Sequence, residues 1–311
     1  VNVCKMKNTV FDVELGYHNT AVGGKLKYRV TATASHYKNE IMAILTGAPD
    51  KIIDGYSTRQ IMYTRFAKGT QYPEFFGYKL DKASKNGIFQ SDAEVLAAAP
   101  YGTTSYNAPG HFRYKDITGV DANGKLTHKP DGTVTPDDRT FIGSPHPKLT
   151  GGLNIDLAYG NFDLSMFFYG SYGNKMINYV KRWIDYGMFN GGLSRKALYE
   201  SWGSPYISKE KATLPMLDYN ANSQEMSEAY VEDGSFLRMK SLKLGYTLPT
   251  NILKKAQIKN ISVYAQVTNL FTLTKYSGLD PEYDSAGTAM GVDQGSWPTP
   301  RQIMFGINLG L

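Results

Sequence analysis

The chain has 311 residues, a formal charge of +6, and many tyrosines (23), phenylalanines (14) and glycines (31). That length permits one large or two ordinary domains with a substantial core, and the lone cysteine, Cys4, excludes an intrachain disulfide and a cysteine-built metal cage. The basic residues are scattered, with no basic helix or RNA-binding aromatic motif among them, which argues against nucleic acid as a partner.

Mean hydropathy is −0.37, and no apolar run approaches the roughly eighteen residues of a spanning helix. Strands that cross a membrane escape both tests, because only alternate residues face lipid. Chains rich in Tyr, Phe and Gly suit such a barrel, whose aromatic girdles lie at both interfaces. The first residues, 1–7, contain no apolar signal-peptide core.

In chain order, Phe11, Val13, Leu15 and Tyr17 alternate with Asp12, Glu14, Gly16 and His18, the period of a strand with one apolar face. After a turn at 22–25 the pattern resumes, with Leu26, Tyr28, Val30, Ala32 and Ala34 against Lys27, Arg29, Thr31, Thr33 and Ser35. Five consecutive polar residues on one side exclude a strand buried on both faces. Residues 41–57, broken by Gly47, Pro49 and Gly55, read as a loop. Two weaker strands are expected over 60–67 and 75–81, separated by 69–73. Residues 83–146 read as a long loop, rare in a compact soluble domain. Residues 148–172 form a hairpin about Gly160-Asn161, a two-residue turn signal. A second excursion, 173–232, carries Trp183, Tyr186, Tyr199, Trp202, Tyr206 and Tyr219. Strands follow from Phe236, over 261–273 and over 302–311.

The expected connections alternate: short at 20–25, 68–74, 160–161 and 248–258, long at 41–57, 83–146, 173–232 and 275–299. Up-and-down outer-membrane barrels have this asymmetry, with tight turns at the periplasmic rim and long loops outside. About nine strands are expected, and nine is odd where single-chain bacterial barrels are even. The simplest account makes residues 1–311 the C-terminal portion of a longer barrel, with 302–311 pairing with a strand outside these residues.

Several segments carry a family resemblance: EDGSFLRMK at 232–240, LGYTLP at 244–249, NLFTLTKYSGLDPE at 269–282 and PTPR at 298–301. Upstream, GIFQS at 87–91, YKD at 114–116, DRTFIGSPHP at 138–147 and FDLS at 162–165 occur in the same order. From about residue 75 onward the chain resembles SusC/RagA-like TonB-dependent outer-membrane transporters. The resemblance implies an all-β fold: a transmembrane antiparallel up-and-down β-barrel of about twenty-two strands, its lumen filled by a plug, of which this chain would supply about nine C-terminal strands with long extracellular loops. The plug, the TonB box and the signal peptide would lie outside residues 1–311. It further implies active import of a large nutrient, an oligosaccharide or a peptide, in contact with outer-membrane lipid, with TonB acting through the missing N-terminal region and a SusD-like surface lipoprotein as lid. One departure is the ending Asn308-Leu309-Gly310-Leu311, where barrels of this type often end on an aromatic residue.

Within that reading the expected lid or substrate contacts on the loops are Trp183, Tyr186, Trp202, Tyr206 and Trp297, since exposed rings stack on sugars or pack against a protein. The expected lumen-facing residues are Lys27, Arg29, Asn154 and Asp156. Asp131, Asp137 and Asp138 resemble the latter half of a calcium loop, and they are the candidate ligands of a structural Ca²⁺. Thr127 and Lys129, at the earlier ligand positions, do not complete it, and Asp121 and Asn123 are displaced. The five histidines are dispersed without a His-Glu-x-x-His motif, and Gly-x-Ser-x-Gly is absent, so no enzyme is expected. The alternatives are a passive porin, which lacks a plug, and a soluble all-β binding protein.

Overall fold

The structure is a computed structural model that describes residues 4–44, 52–102, 106–122, 125–187, 191–218, 222–249, 253, 258–283, 285 and 287–310. Seven long strands form one antiparallel sheet: β1 (Cys4–Ala21), β2 (Leu26–Ile44), β3 (Leu149–Tyr159), β4 (Phe162–Tyr172), β5 (Phe236–Thr247), β6 (Asn260–Thr274) and β7 (Gln302–Gly310). Each pairs with its neighbours in chain order. Every connection between consecutive strands is therefore a hairpin or a return over one end, the up-and-down arrangement. The sheet is open, with β1 and β7 at its two edges.

Cross-strand register turns the sequence alternation into two continuous faces. One row reads Tyr17, Val30, Ile155, Met166, Leu242, Val267, Ile303, and the row beside it Asn19, Tyr28, Leu157, Leu164, Leu244, Ala265, Phe305. Phe11, Leu15, Leu244, Ile303, Phe305 and Ile307 on this face are exposed. So broad an apolar surface has no place in water; it is the outward face of a membrane barrel. Tyr159, Phe162 and Tyr246 share the row nearest the short turns, with Phe162 and Tyr246 ring centroids 4.7 Å apart, the position of an aromatic girdle.

The three short turns lie at 22–25, at 160–161 and across 248–259, all at one end of the sheet. In the 160–161 turn only the first central residue, Gly160, has positive φ (58°), as a type II′ hairpin turn requires. The three long excursions, 45–148, 173–235 and 275–301, leave from the other end and build one cap. Its four-stranded sheet joins Ile53–Asp54, Thr64–Phe66, Glu74–Gly77 and Thr140–Gly143. A three-stranded sheet takes Lys175–Asn178 and Val231–Asp233 from the second excursion and Val292–Asp293 from the third. A single core cluster, including Phe75, Tyr78, Ile88, Phe112, Tyr114, Tyr186, Met226, Tyr230 and Val292, draws on all three. Tyr78 and Tyr114 stack 17° from parallel at 4.7 Å.

The cap changes three expectations. Residues 60–67 and 75–81 are not barrel strands: Thr64–Phe66 has 3 residues and Glu74–Gly77 has 4, whereas a spanning strand needs about 9–11. The main sheet thus has seven strands rather than about nine. Residues 69–73 are not a rim turn but dock on upper β2, where Ile41 N–H donates to the Thr70 carbonyl at 2.9 Å and Gly69 N–H to the Ile41 carbonyl at 2.8 Å. Residues 83–146 are ordered by burial of Ile88, Phe89, Phe112 and Tyr114, and include the short helix α1 (Asp92–Ala97). Of the loop read at 41–57, residues through Ile44 continue β2, and 45–51 lie outside the described residues, as do Asn123, Tyr219 and Leu311.

Candidate functional site

The expected polar residues of β2 and β3 share one face. Arg29 lies opposite Asp156 and Thr31 opposite Asn154, and residues directly opposite in an antiparallel pair point the same way. The Arg29 row runs His18, Arg29, Asp156, Ser165, Lys243, Gln266 and Met304, with Lys27 one row nearer the short turns. Asp156 accepts from Asn154 Nδ2 at 2.9 Å and from Ser165 Oγ at 2.7 Å, so its bonds run along the sheet. Lys243 lies 4.8 Å from the centre of the Tyr264 ring. A barrel of large diameter turns such a face to a water-filled or plugged interior.

At the cap end, the wall carries a heavily bonded, buried cation. Arg238 is 4% exposed. Its Nε donates to Thr272 Oγ1 at 2.8 Å, its Nη1 to Glu282 Oε2 at 2.7 Å and its Nη2 to Asp280 Oδ1. Lys240 Nζ donates to Glu282 Oε1. Lys240 is the extra residue of a bulge: Met239 pairs with Phe168 and Ser241 with Phe167, which leaves Lys240 unmatched. The extra residue keeps Ser241 on the polar face and Leu242 on the apolar one. Asp280 Oδ2 accepts from Thr299 N–H at 2.9 Å, and Oδ1 from Glu282 N–H at 2.9 Å. Burial pushes the Asp280 carboxyl up, but the bonds from Arg238 and from the Thr299 and Glu282 amides outweigh it and hold the carboxyl below its usual range. The third excursion is thereby fastened to the barrel wall by a desolvated ion cluster.

One further clasp holds the same excursion to the second, and another ties the third excursion to itself. Glu232 accepts from Lys181 Nζ at 2.8 Å, from Ser277 N–H at 2.7 Å and from Ser277 Oγ at 2.7 Å. Its burial raises the carboxyl pKa, and Lys181 and Ser277 together bring it below the ordinary value. Tyr276 Oη donates to Asp293 Oδ2 at 2.6 Å, inside the cap. Apart from Lys181 and Asp293, these charged residues lie in the 232–240 and 269–282 segments, yet sequence reasoning did not pick them out. The spacing from Arg238 to Asp280 is 42 residues, and no local pattern pairs groups so far apart.

The aromatic candidates divide. Tyr206 (62% exposed) and Trp297 (94%) stand on the surface. Tyr186 (2%) and Trp202 (8%) are buried: Tyr186 meets Phe112 and Tyr230 edge-on, and Trp202 Nε1 donates to Gln90 Oε1 at 3.3 Å. Further chain or a lid can only bury them more, so these two are packing residues rather than contacts. Trp183 is half-buried against the same core, with the Arg59 guanidinium 4.2 Å over its ring.

The candidate calcium ligands do not converge. Asp138 is buried, and its oxygens accept from the N–H groups of Ile117 at 2.7 Å, Thr118 at 2.9 Å and Thr135 at 2.7 Å. Asp131 Oδ1 accepts from Thr133 N–H at 3.0 Å, and Asp137 is exposed. Among the described residues no group of three or more carboxylate, His or Cys side chains is placed to hold a metal. The carboxylate of Asp138 ties the loop's backbone together instead.

No family model matches the chain. Similarity to individual proteins is extensive: 27% identity to TonB-dependent receptor P3 of Formosa agariphila, over 99% of this chain and 29% of that protein. TonB-dependent receptor P26 of the same organism is 28% identical over 99% of this chain and 29% of its own length. TonB-dependent receptor SusC of Bacteroides thetaiotaomicron is 28% identical over 66% of this chain and 19% of its own length. The chain thus spans under a third of the curated relatives it matches. Among solved structures, the RagAB peptide importer in its closed-closed state superposes with a TM-score of 0.71 over 100% of this chain and 30% of that one, at 24% identity. Its open-open state gives 0.68 over 98% and 29%. At that identity the likeness speaks for the fold.

Proposed function

The chain is SusC/RagA-like along its length, and from that premise we propose that it forms the C-terminal section of the barrel of a TonB-dependent outer-membrane importer. The observation that carries this reading is the pairing of one seven-stranded sheet, apolar on one face and polar on the other, with three long excursions assembled into one cap at a single end. A sheet with unpaired edges cannot persist in lipid, so β1 and β7 require partner strands from outside residues 1–311. The enclosed polar wall, with Lys27, Arg29, Asn154 and Asp156, lines the lumen, and the cap lies on the extracellular side. The nutrient is an oligosaccharide or a peptide. A SusD-like surface lipoprotein meets the cap, where Tyr206 and Trp297 offer exposed rings, and energy enters from TonB through the N-terminal region. The role is transport rather than catalysis.

The test is uptake by cells carrying the full-length receptor, fed labelled oligosaccharide or peptide mixtures, with and without functional TonB. Import that needs both the receptor and TonB is expected. Import that continues without TonB would make the protein a passive pore. A full-length chain that stays monodisperse without detergent would overturn the membrane reading altogether.

A further inference from the structure

β1 and β2 are longer than the strand beside them, with 18 and 19 residues against 11 in β3. β3 pairs with β2 only over Leu26–Ser35, so the paired ends Cys4–Val10 and Tyr37–Ile44 stand beyond it as a ribbon at the cap end. From Leu149 to Tyr159, β3 takes ten steps. At about 3.3 Å a step and a tilt of about 40°, it rises about 25 Å, the height of the apolar band of a membrane barrel. The lower limit of that band is the row of Tyr159 and Phe162. Its upper limit is the row of Leu149 and Tyr172 on β3 and β4 and of Phe11 and His36 on β1 and β2, where Phe11, Leu149 and Tyr172 are exposed. The ribbon therefore begins where hydrocarbon ends.

The chemistry of the outward face changes at the same height. Below it β1 presents Phe11, Val13, Leu15 and Tyr17; above it the same alternation brings Thr9, Lys7 and Lys5, with Lys38 opposite Thr9 and Glu40 opposite Lys7. Lys5, Lys7 and Lys38 are exposed. Successive outward rows differ in height by about 5 Å, so the first of them lies in the head-group layer. The flexible stems of the higher lysines let their ammonium groups reach down to it. Glu40 offsets part of the charge: it accepts from Lys38 Nζ at 3.1 Å and stands opposite Lys7. Over the ribbon's outward face three lysines meet this one carboxylate, so a net two positive charges remain however Glu40 is shared.

We propose that this face binds the phosphate groups of outer-leaflet lipid, with Lys5, Lys7 and Lys38 as their ion partners and the Phe11 ring packed on the acyl chains beneath. Three features converge on that ligand. The excess charge is positive, it begins at head-group height, and it is continuous with the apolar band below, so one phosphorylated lipid complements both. Basic clusters beside a membrane attract anionic lipid in this way. The inference goes beyond import and rests only on the membrane placement within that reading.

The test uses the full-length receptor in detergent, titrated at low and high salt with lipid A carrying its phosphates and with the same lipid after their removal, each in mixed micelles. The phosphorylated lipid should bind more tightly, and salt should shrink the difference. Replacing Lys5, Lys7 and Lys38 together by Gln should weaken the phosphorylated lipid by about tenfold or more and leave the other unchanged, whereas Arg at all three positions should keep the preference. Glu40→Gln should strengthen it about fivefold, a gain that a misfolded variant cannot give. Equal binding of the two lipids, equal loss of both in the triple Gln variant, or a preference that neither the Gln variant nor Glu40→Gln alters would overturn the lipid site. A receptor that needs detergent but ignores phosphate loses only this site; one that stays monodisperse without detergent loses the membrane reading itself.

Discussion

Arg238 shows how a single buried charge can organise a mouth. Its guanidinium bonds Thr272 on the neighbouring strand and two carboxylates of the third excursion, so removing it strands Asp280 in a desolvated place and leaves Glu282 with Lys240 as its ion partner. Arg238→Ala should cost the full-length receptor about 3–5 kcal/mol, the usual loss when one partner of a buried pair is deleted. Measured as a double-mutant cycle with Asp280→Ala, the two losses should be clearly less than additive; additive losses would mean that the pair is not energetically linked. The sequence marked both segments by resemblance but gave no means of pairing them. Their contact depends on β5 and the third excursion meeting in space.

Between elements, the junction at 145–147 fastens the cap to the sheet. His146 Nε2 donates to the Tyr72 carbonyl at 2.8 Å, and Tyr72 in turn bonds Asn39 of β2 through its N–H and carbonyl, each at 3.1 Å. Burial lowers the His146 pKa from the ordinary 6.5, and the carbonyls of Tyr72 and Pro73 only partly offset this. The folded chain thus resists protonating a histidine that the unfolded chain protonates freely below about pH 6.5. Its contribution is full above that pH and is lost as the pH falls toward the folded pKa. Melting of the full-length receptor between about pH 8 and pH 5 should show an acid-side loss that His146→Gln reduces. An identical pH profile in the variant would refute the assignment. Element boundaries were legible where alternation was long, as in the β3–β4 hairpin about Gly160. They were misread at 60–67 and 75–81, because short cap strands have the same two-residue period as spanning ones.

For the whole molecule, the decisive property is that adjacent positions face different solvents. Val267 sits in the apolar row and Gln266 in the polar one, on the same strand. In the full-length receptor refolded into vesicles, Val267→Arg should cost about 2–4 kcal/mol if it lies near the bilayer midplane, and Gln266→Arg far less. Equal costs would contradict the assignment of faces.

Alternation, glycine turns and the segregation of short from long connections were enough, by themselves, to give the chain its class, its two-faced sheet and the shared face of Lys27, Arg29, Asn154 and Asp156. A strand's period is local, and each residue carries its own preference for lipid or water. Only the tertiary structure decided that the long excursions condense into one aromatic core, that Tyr186 and Trp202 belong inside it, and that Asp138 binds backbone amides. It also decided that Arg238 meets Asp280 and Glu282. Those outcomes depend on contacts between segments far apart in the chain, where burial and desolvation act and no short-range pattern records the partner.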